Sequence, residues 1–193
     1  MPEHLVLTSI DAPANMFQNG KHSHEVPLEQ LIGPGVVIDV KSKAEKNAEY
    51  RVTKRDVQIW EQQHGRIPSG AIVIMNSGCG KMYPDSKLVY NTNNVSNVDL
   101  WRYPSWSLSA AEWLIQNRRI KALGVDTPAV DALSGATLPV HVRLLGDSLI
   151  ALKGVANLDN LPPSGSTIFI PVIKIYGGSG GASRVFATVP KRY

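Results

Sequence analysis

Few residues of this chain can do chemistry near neutral pH: five histidines, one cysteine and some carboxylates that fall at strand ends. His22 and His24 lie two apart in the polar, glycine-containing run 18–24. An extended loop sends alternate side chains to opposite sides, so these two are expected to sit in solvent without sharing a metal ion. His64 precedes Gly65 at the end of a helical pattern, where the helix dipole favours an imidazolium. His141 has apolar neighbours and, taken alone, reads as a hydrogen-bonded core group. Cys79 lies in a glycine-rich loop and would need an adjacent base to act as a nucleophile; none is near in sequence. Asp11 is better placed. It follows a strand-like alternation and precedes Pro13, which ends ladder pairing, so its carboxylate falls where a strand gives way to a turn. Asp126 and Thr127 close the apolar run 122–125 in a similar way.

The elements that position these groups follow from pattern. Alternation at Leu5, Leu7 and Ser9 predicts a short strand, and residues 27–32 predict a helical turn stopped by Gly33 and Pro34. Residues 36–40 and 71–75 are continuous apolar runs, the mark of strands buried on both faces. Between them, 41–50 reads as a surface connection, and Thr53 with Asp56 opens a helix that buries Val57 and Trp60 and stops at Gly65. The asparagine-rich segment 81–98 is long for a loop, which predicts a lid or a subunit-contact arm. Trp101 and Trp106 beside it are the rigid aromatics that interfaces use, although core packing explains either one alone. Ser109 and Glu112 form a capping box for an apolar helix. Pro139 suits the first turn of a helix carrying His141, Leu144 and Leu145. Strands are expected at 149–152, at 167–175 with an interruption at Pro171, and at 184–189. Gly177-Gly-Ser-Gly-Gly181 reads as a hairpin-type connection, since it opens no helix and no Lys-Ser/Thr pair follows it. Strands alternating with helices and long connections make the fold class α/β, a single mixed α/β domain over residues 1–193.

Composition narrows the function classes. The net charge of +4 is a small excess of 20 basic over 16 acidic residues, spread along the chain without a recognition motif, so no nucleic-acid partner is expected. One cysteine excludes an internal disulfide and fits a reducing compartment. No apolar run reaches the roughly 18 residues of a membrane span, so no membrane partner is expected and a cytoplasmic location is.

Residues 5–15, Leu-Val-Leu-Thr-Ser-Ile-Asp-Ala-Pro-Ala-Asn, carry a resemblance with content for function. They resemble the signature His-x-Gly-Thr-His-x-Asp-x-Pro-x-His of the metal-dependent cyclase family, which includes bacterial kynurenine formamidase and isatin hydrolase. Thr8, Asp11 and Pro13 match, while Leu5, Leu7, Ser9 and Asn15 stand at the family's His, Gly, His and His. Segments 27–39, 103–114, 124–127, 141–145, 156–159 and 177–184 are similar to the family's later motifs, so the likeness covers about residues 5–187. A family glutamate that follows His141 falls on Lys153, and Pro128-Ala129 stands where members have Pro-Ser.

The resemblance implies the family's swivelling β/β/α fold and a site built for a divalent ion, Zn or Mn. Of the implied ligands Asp11 and His141 remain, while Leu5, Ser9 and Lys153 occupy lost ligand positions. Asn15 replaces the general acid/base, so no catalytic residue is intact. The implied pocket comprises Thr8, Asn15, Asp126, Thr127 and Lys153, with the Lys153 ammonium facing Asp11 in place of the missing cation. The expected reading is a family member without metal-dependent amide hydrolysis and without a cofactor, binding a small molecule or acting through subunit assembly. The alternative is an active hydrolase of a formamide or cyclic amide, such as an N-formylkynurenine- or isatin-like compound, through a rearranged Zn or Mn site. A binding role unrelated to the family is the third. A homodimer or larger homo-oligomer is expected.

Overall fold

The computed structural model describes residues 8–133 and 137–191. Along the chain it contains β1 (Ser9–Asp11), β2 (Ile32–Asp39), α1 (Lys41–Ala44), β3 (Arg51–Val52), α2 (Lys54–His64), β4 (Ile72–Asn76) and α3 (Ser86–Tyr90). Then come β5 (Ser105–Trp106), α4 (Leu108–Arg118), β6 (Ala122–Val125), α5 (Pro139–Gly146), β7 (Ile150–Lys153), β8 (Ser166–Phe169), β9 (Gly180–Ala182) and β10 (Phe186–Thr188). The fold is mixed α/β. Its main sheet has the order β10-β8-β2-β4-β6-β7-β1-β9, and β3 pairs with β5 in a small second sheet. Neighbours from β2 to β7 run parallel, as strands joined by helical crossovers do; β1, β8, β9 and β10 add antiparallel edges.

Side-chain alternation gives the sheet two apolar faces. Val36, Ile38, Val73, Met75, Leu123 and Ala151 face a core shared with α2, α4 and α5. Val37, Ile72, Ile74, Ala122, Ile150 and Leu152 face a second core, which Ile10, Ile168 and Ile170 reach because the outer strands curl over it. Fully burying one such Ile or Leu side chain contributes roughly 1.5–3 kcal/mol, so the continuous apolar runs of the middle strands are what fixes this two-faced layer. Among the described residues no helix is long and apolar enough to cross a membrane.

Several boundaries differ from expectation for identifiable reasons. β2 begins at Ile32 and runs through Gly33 and Pro34, because a neighbouring strand comes too close for side chains: a Cβ on Gly35 would lie 2.2 Å from Ser166 Oγ. Residues 41–44 form a helical turn inside the expected surface connection. α4 is capped by Ser107, whose hydroxyl accepts from Ala110 N, two residues before the expected Ser109 box. Half of the glycine run is strand β9. Gly180 is required there because a Cβ would lie 2.3 Å from Ile10 O. The strand expected at 167–175 stops at Phe169, ahead of Pro171. Leu5 and Leu7, expected to open the first strand, lie outside the described residues.

The long segment 81–98 packs on its own chain over part of its length: Val89 and Tyr90 are buried with Cys79, and Tyr90 stacks on Trp101 with ring centroids 3.8 Å apart. Trp106 is 2% exposed and donates from Nε1 to Gly124 O at 3.0 Å, so it is a core residue and no interface anchor.

Candidate functional site

The site follows from strand parity. Ile10 points into the second core, so Ser9 and Asp11 face α5. The antiparallel register sets Ser9 opposite Lys153 and Asp11 opposite Ala151, which makes Asp11 and Lys153 diagonal neighbours on that face. Lys153 Nζ donates to both Asp11 oxygens at 2.9 Å. Above them, Pro139 starts α5 and delivers His141 in the first turn, with Nε2 3.4 Å from Asp11 Oδ2. The other ring nitrogen, Nδ1, lies 2.7 Å from Asp131 Oδ2. Asp131 also accepts from the backbone N–H groups of Val140 at 2.9 Å and His141 at 2.8 Å, so a single carboxylate caps the helix and orients the imidazole.

Asp11, Asp131 and His141 are each 5% exposed or less, whereas the Lys153 side chain is 31% exposed. Burial by itself would push the Asp11 carboxyl up, but its bond to His141 and the Lys153 charge reverse this and hold it below the ordinary range. Burial likewise disfavours a charged His141; hydrogen bonds to Asp11 and Asp131 outweigh it and raise its pKa. Asp11 thus lies between the Lys153 amine and the His141 ring, whose other nitrogen turns to Asp131, so the four side chains engage one another.

That set does not fit a divalent ion. Both Asp11 oxygens are engaged by Lys153, and both His141 ring nitrogens face carboxylates. Lys153 has no lone pair to give while protonated and places positive charge where the ion would go. Ser9 is a poor donor, and Leu5, the remaining implied ligand position, lies outside the described residues, as does His4. Among the described residues, no three of His, Cys, Asp and Glu gather as metal ligands would, against the three or four protein groups that zinc takes.

Other expected site residues are placed elsewhere. Asn15 is exposed at the end of a 3-10 turn (Pro13–Asn15). Thr8 donates through Oγ1 to Gly154 O at 2.6 Å, and both line a cavity of about 240 Å³ with Cys79, Tyr83 and Asp126. Asp126 accepts from Ser77 Oγ at 2.7 Å, Ser77 N and Gly80 N, clamping the loop after β4, and burial pushes its carboxyl up. Thr127, expected in the pocket, is 0% exposed and spends its hydroxyl on Pro104 O at 2.9 Å, so it holds up the loop instead. Cys79 is buried, and that burial, with Asp126 nearby, pushes its thiol up to about 12, which leaves no nucleophile at neutral pH. His22 and His24 are not on opposite sides: a 3-10 turn (Ser23–Glu25) brings their rings within 5.8 Å, and His24 also packs on Tyr176.

Sequence reasoning missed Asp131. It is the one acidic residue between Thr127 and Pro139, but it acts from outside the helix terminus, where Leu138 occupies the cap position, so no local capping pattern marks it.

A model of the family described as "Putative cyclase" matches residues 1–132 of the chain. Isatin hydrolase of Roseibium aggregatum is 26% identical over 192 residues, covering 95% of this chain and 71% of that protein. Kynurenine formamidase of Salinibacter ruber is 23% identical over 177 residues, covering 92% and 72%. Among solved structures, isatin hydrolase A from Ralstonia solanacearum is similar with a TM-score of 0.87 and 33% identity, over 95% of this chain and 71% of that one. An isatin hydrolase bound to the product analogue thioisatinate gives a TM-score of 0.85 at 27% identity, again over 95% and 71%.

Proposed function

We propose that this chain, which belongs to the cyclase family, does not carry out metal-dependent amide hydrolysis and uses the family scaffold to bind a small molecule near Lys153. The observation that carries this reading is the Lys153 ammonium, 2.9 Å from both oxygens of the carboxylate that a metal would need. An ammonium can polarise a carbonyl through a hydrogen bond. It cannot coordinate water and bring its pKa to about 7, as a catalytic metal does. Support for proton transfer is lacking as well: Asn15 exchanges no proton near neutral pH, and both ring nitrogens of His141 already face carboxylates. The relatives named isatin hydrolase and kynurenine formamidase act on carbon–nitrogen bonds. The alternative for this chain, hydrolysis of a formamide or cyclic amide, rests on the Asp131–His141 pair, which has the form of a base and its orienting partner.

Incubating the purified chain with N-formylkynurenine and with isatin, with and without added Zn or Mn, tests this. No turnover above the buffer rate is expected, and metal-stimulated turnover would contradict the reading. We further propose a homodimer or larger homo-oligomer, supported by Met82, Tyr83, Leu88, Val98 and Leu100, which stay exposed on and beside the long polar segment. Sedimentation showing only monomer at micromolar concentration would reject it. The single cysteine, buried and unpaired, supports a cytoplasmic location.

A further inference from the structure

Next to the 240 Å³ cavity, and sharing Thr8 and Ala156 with it, opens a larger cleft of about 780 Å³. Clefts of roughly 300–1,000 Å³ are those that take small organic ligands. Val155, Pro171, Val172 and Val185 make its walls apolar. Two of its polar groups are already committed, since the hydroxyl of Thr8 donates to Gly154 O and that of Ser183 to Pro171 O, each at 2.6 Å. Asn157 and Arg184 remain; both are exposed, and among the described residues neither side chain has a partner.

Charge selects the ligand class. Among the described residues no acidic side chain lines the cleft, and of these residues Arg184 is the one ionised group on its wall. Lys153, next to Gly154 in the wall of the smaller cavity, is paired with Asp11, so the unbalanced charge here belongs to Arg184. A guanidinium at the edge of an apolar cleft matches a carboxylate bidentately and leaves the ligand's carbon body to the apolar walls.

We propose that this cleft binds a small organic carboxylate, with its apolar body against Val172 and Val185 and its carboxylate on Arg184, assisted by the Asn157 amide. The proposal rests on the reading of the chain as a small-molecule binder, and it adds the ligand class and the residue that reads it. It assigns recognition to a group outside the Asp11–Lys153–His141–Asp131 set.

Benzoate, benzamide and benzylamine are the probes, titrated by heteronuclear NMR into the wild-type chain, Arg184→Gln, Arg184→Lys and Lys153→Met. Benzoate should bind wild type about tenfold or more tightly than benzamide, the value of a charge-assisted contact, and should shift the amides of Val172 and Val185. Benzylamine, which carries the opposite charge, should bind more weakly than either, and tighter binding of benzylamine than of benzoate would overturn the charge argument. Arg184→Gln, an exposed substitution, should abolish the benzoate preference, and Arg184→Lys should keep part of it. Benzoate binding unchanged in Arg184→Gln but lost in Lys153→Met would place the carboxylate on Lys153 and overturn this assignment, leaving the proposed function intact. Metal-stimulated amide hydrolysis together with Arg184-dependent benzoate binding would overturn the function and leave the cleft assignment standing. No binding of benzoate at millimolar concentration would overturn the cleft proposal outright.

Discussion

Replacing Lys153 with glutamate removes the cation that sits 2.9 Å from both Asp11 oxygens and puts a second carboxylate beside the first. The Asp11 side chain is 7% exposed and that of Lys153 31%, so the pair stands between two limits. Removing one partner of a fully buried pair costs about 3–5 kcal/mol, and breaking an exposed one costs about 0–1 kcal/mol. Solvent screening at the lysine end places the expected loss near 2–3 kcal/mol at pH 7. For a chain of this size that lowers Tm by about 4–12 °C. The new like-charge pair raises one of the two carboxyl pKa values, so the loss should shrink as the buffer is taken toward pH 5 and a proton is taken up. Lys153→Glu also sets the introduced carboxylate beside Asp11 and His141, three donors from two strands and a helix turn, so Zn or Mn should raise the variant's Tm by several degrees and leave the wild type unchanged. Thermal melts in chelator-treated buffer, with and without each metal, measure both effects. A loss under about 0.5 kcal/mol in metal-free buffer, the range of an ordinary surface substitution, would refute the reasoning that Lys153 stands in for a cation.

Asp131→Ala should cost about 3 kcal/mol in urea denaturation, because it strips two backbone caps from α5 and the hydrogen-bond partner from a buried histidine ring, and it should lower the His141 pKa seen by NMR. Unchanged stability would show that the cap is dispensable. Stability should also depend on pH at both ends. The raised His141 pKa gives a contribution fully present below its ordinary 6.5 and lost as pH climbs through the folded value, whereas the lowered Asp11 pKa gives one present above its ordinary 3.8 and lost as pH falls through the folded value. Tm measured against pH should therefore be highest between these limits, and His141→Gln should flatten the alkaline side; an unaltered alkaline slope would contradict the assignment. Cys79, with its thiol pushed up to about 12, should resist iodoacetamide in the native chain at pH 8 and react on unfolding, so rapid native alkylation would overturn the burial argument.

The middle of the sheet was legible because continuous apolar runs such as residues 71–75 admit little besides a strand buried on both faces. α2 was legible from Thr53 and Asp56, whose capping box is local. What escaped depends on contacts distant in sequence. Gly33 and Pro34 read as a stop, yet β2 continues through them because β8 arrives from more than a hundred residues away. The glycines at 180–181 read as a connection because nothing local announces how closely Ile10 O approaches. In the site, Asp11, His141 and Lys153 were identified through resemblance to a spaced motif, and strand register brings them together. Asp131 and the burial of Thr127 were not, since each depends on how a loop packs against α5 or β5. The expected separation of His22 and His24 failed because it assumed an extended chain where a 3-10 turn forms.

The measurement that bears most directly on the account is elemental analysis of the chain purified without chelator and then equilibrated with Zn or Mn at neutral pH. With both Asp11 oxygens engaged by Lys153 and both His141 ring nitrogens facing carboxylates, a metal content far below one ion per chain is predicted under both conditions. A content near one ion per chain, lost when Asp11 is changed to Ala, would contradict it.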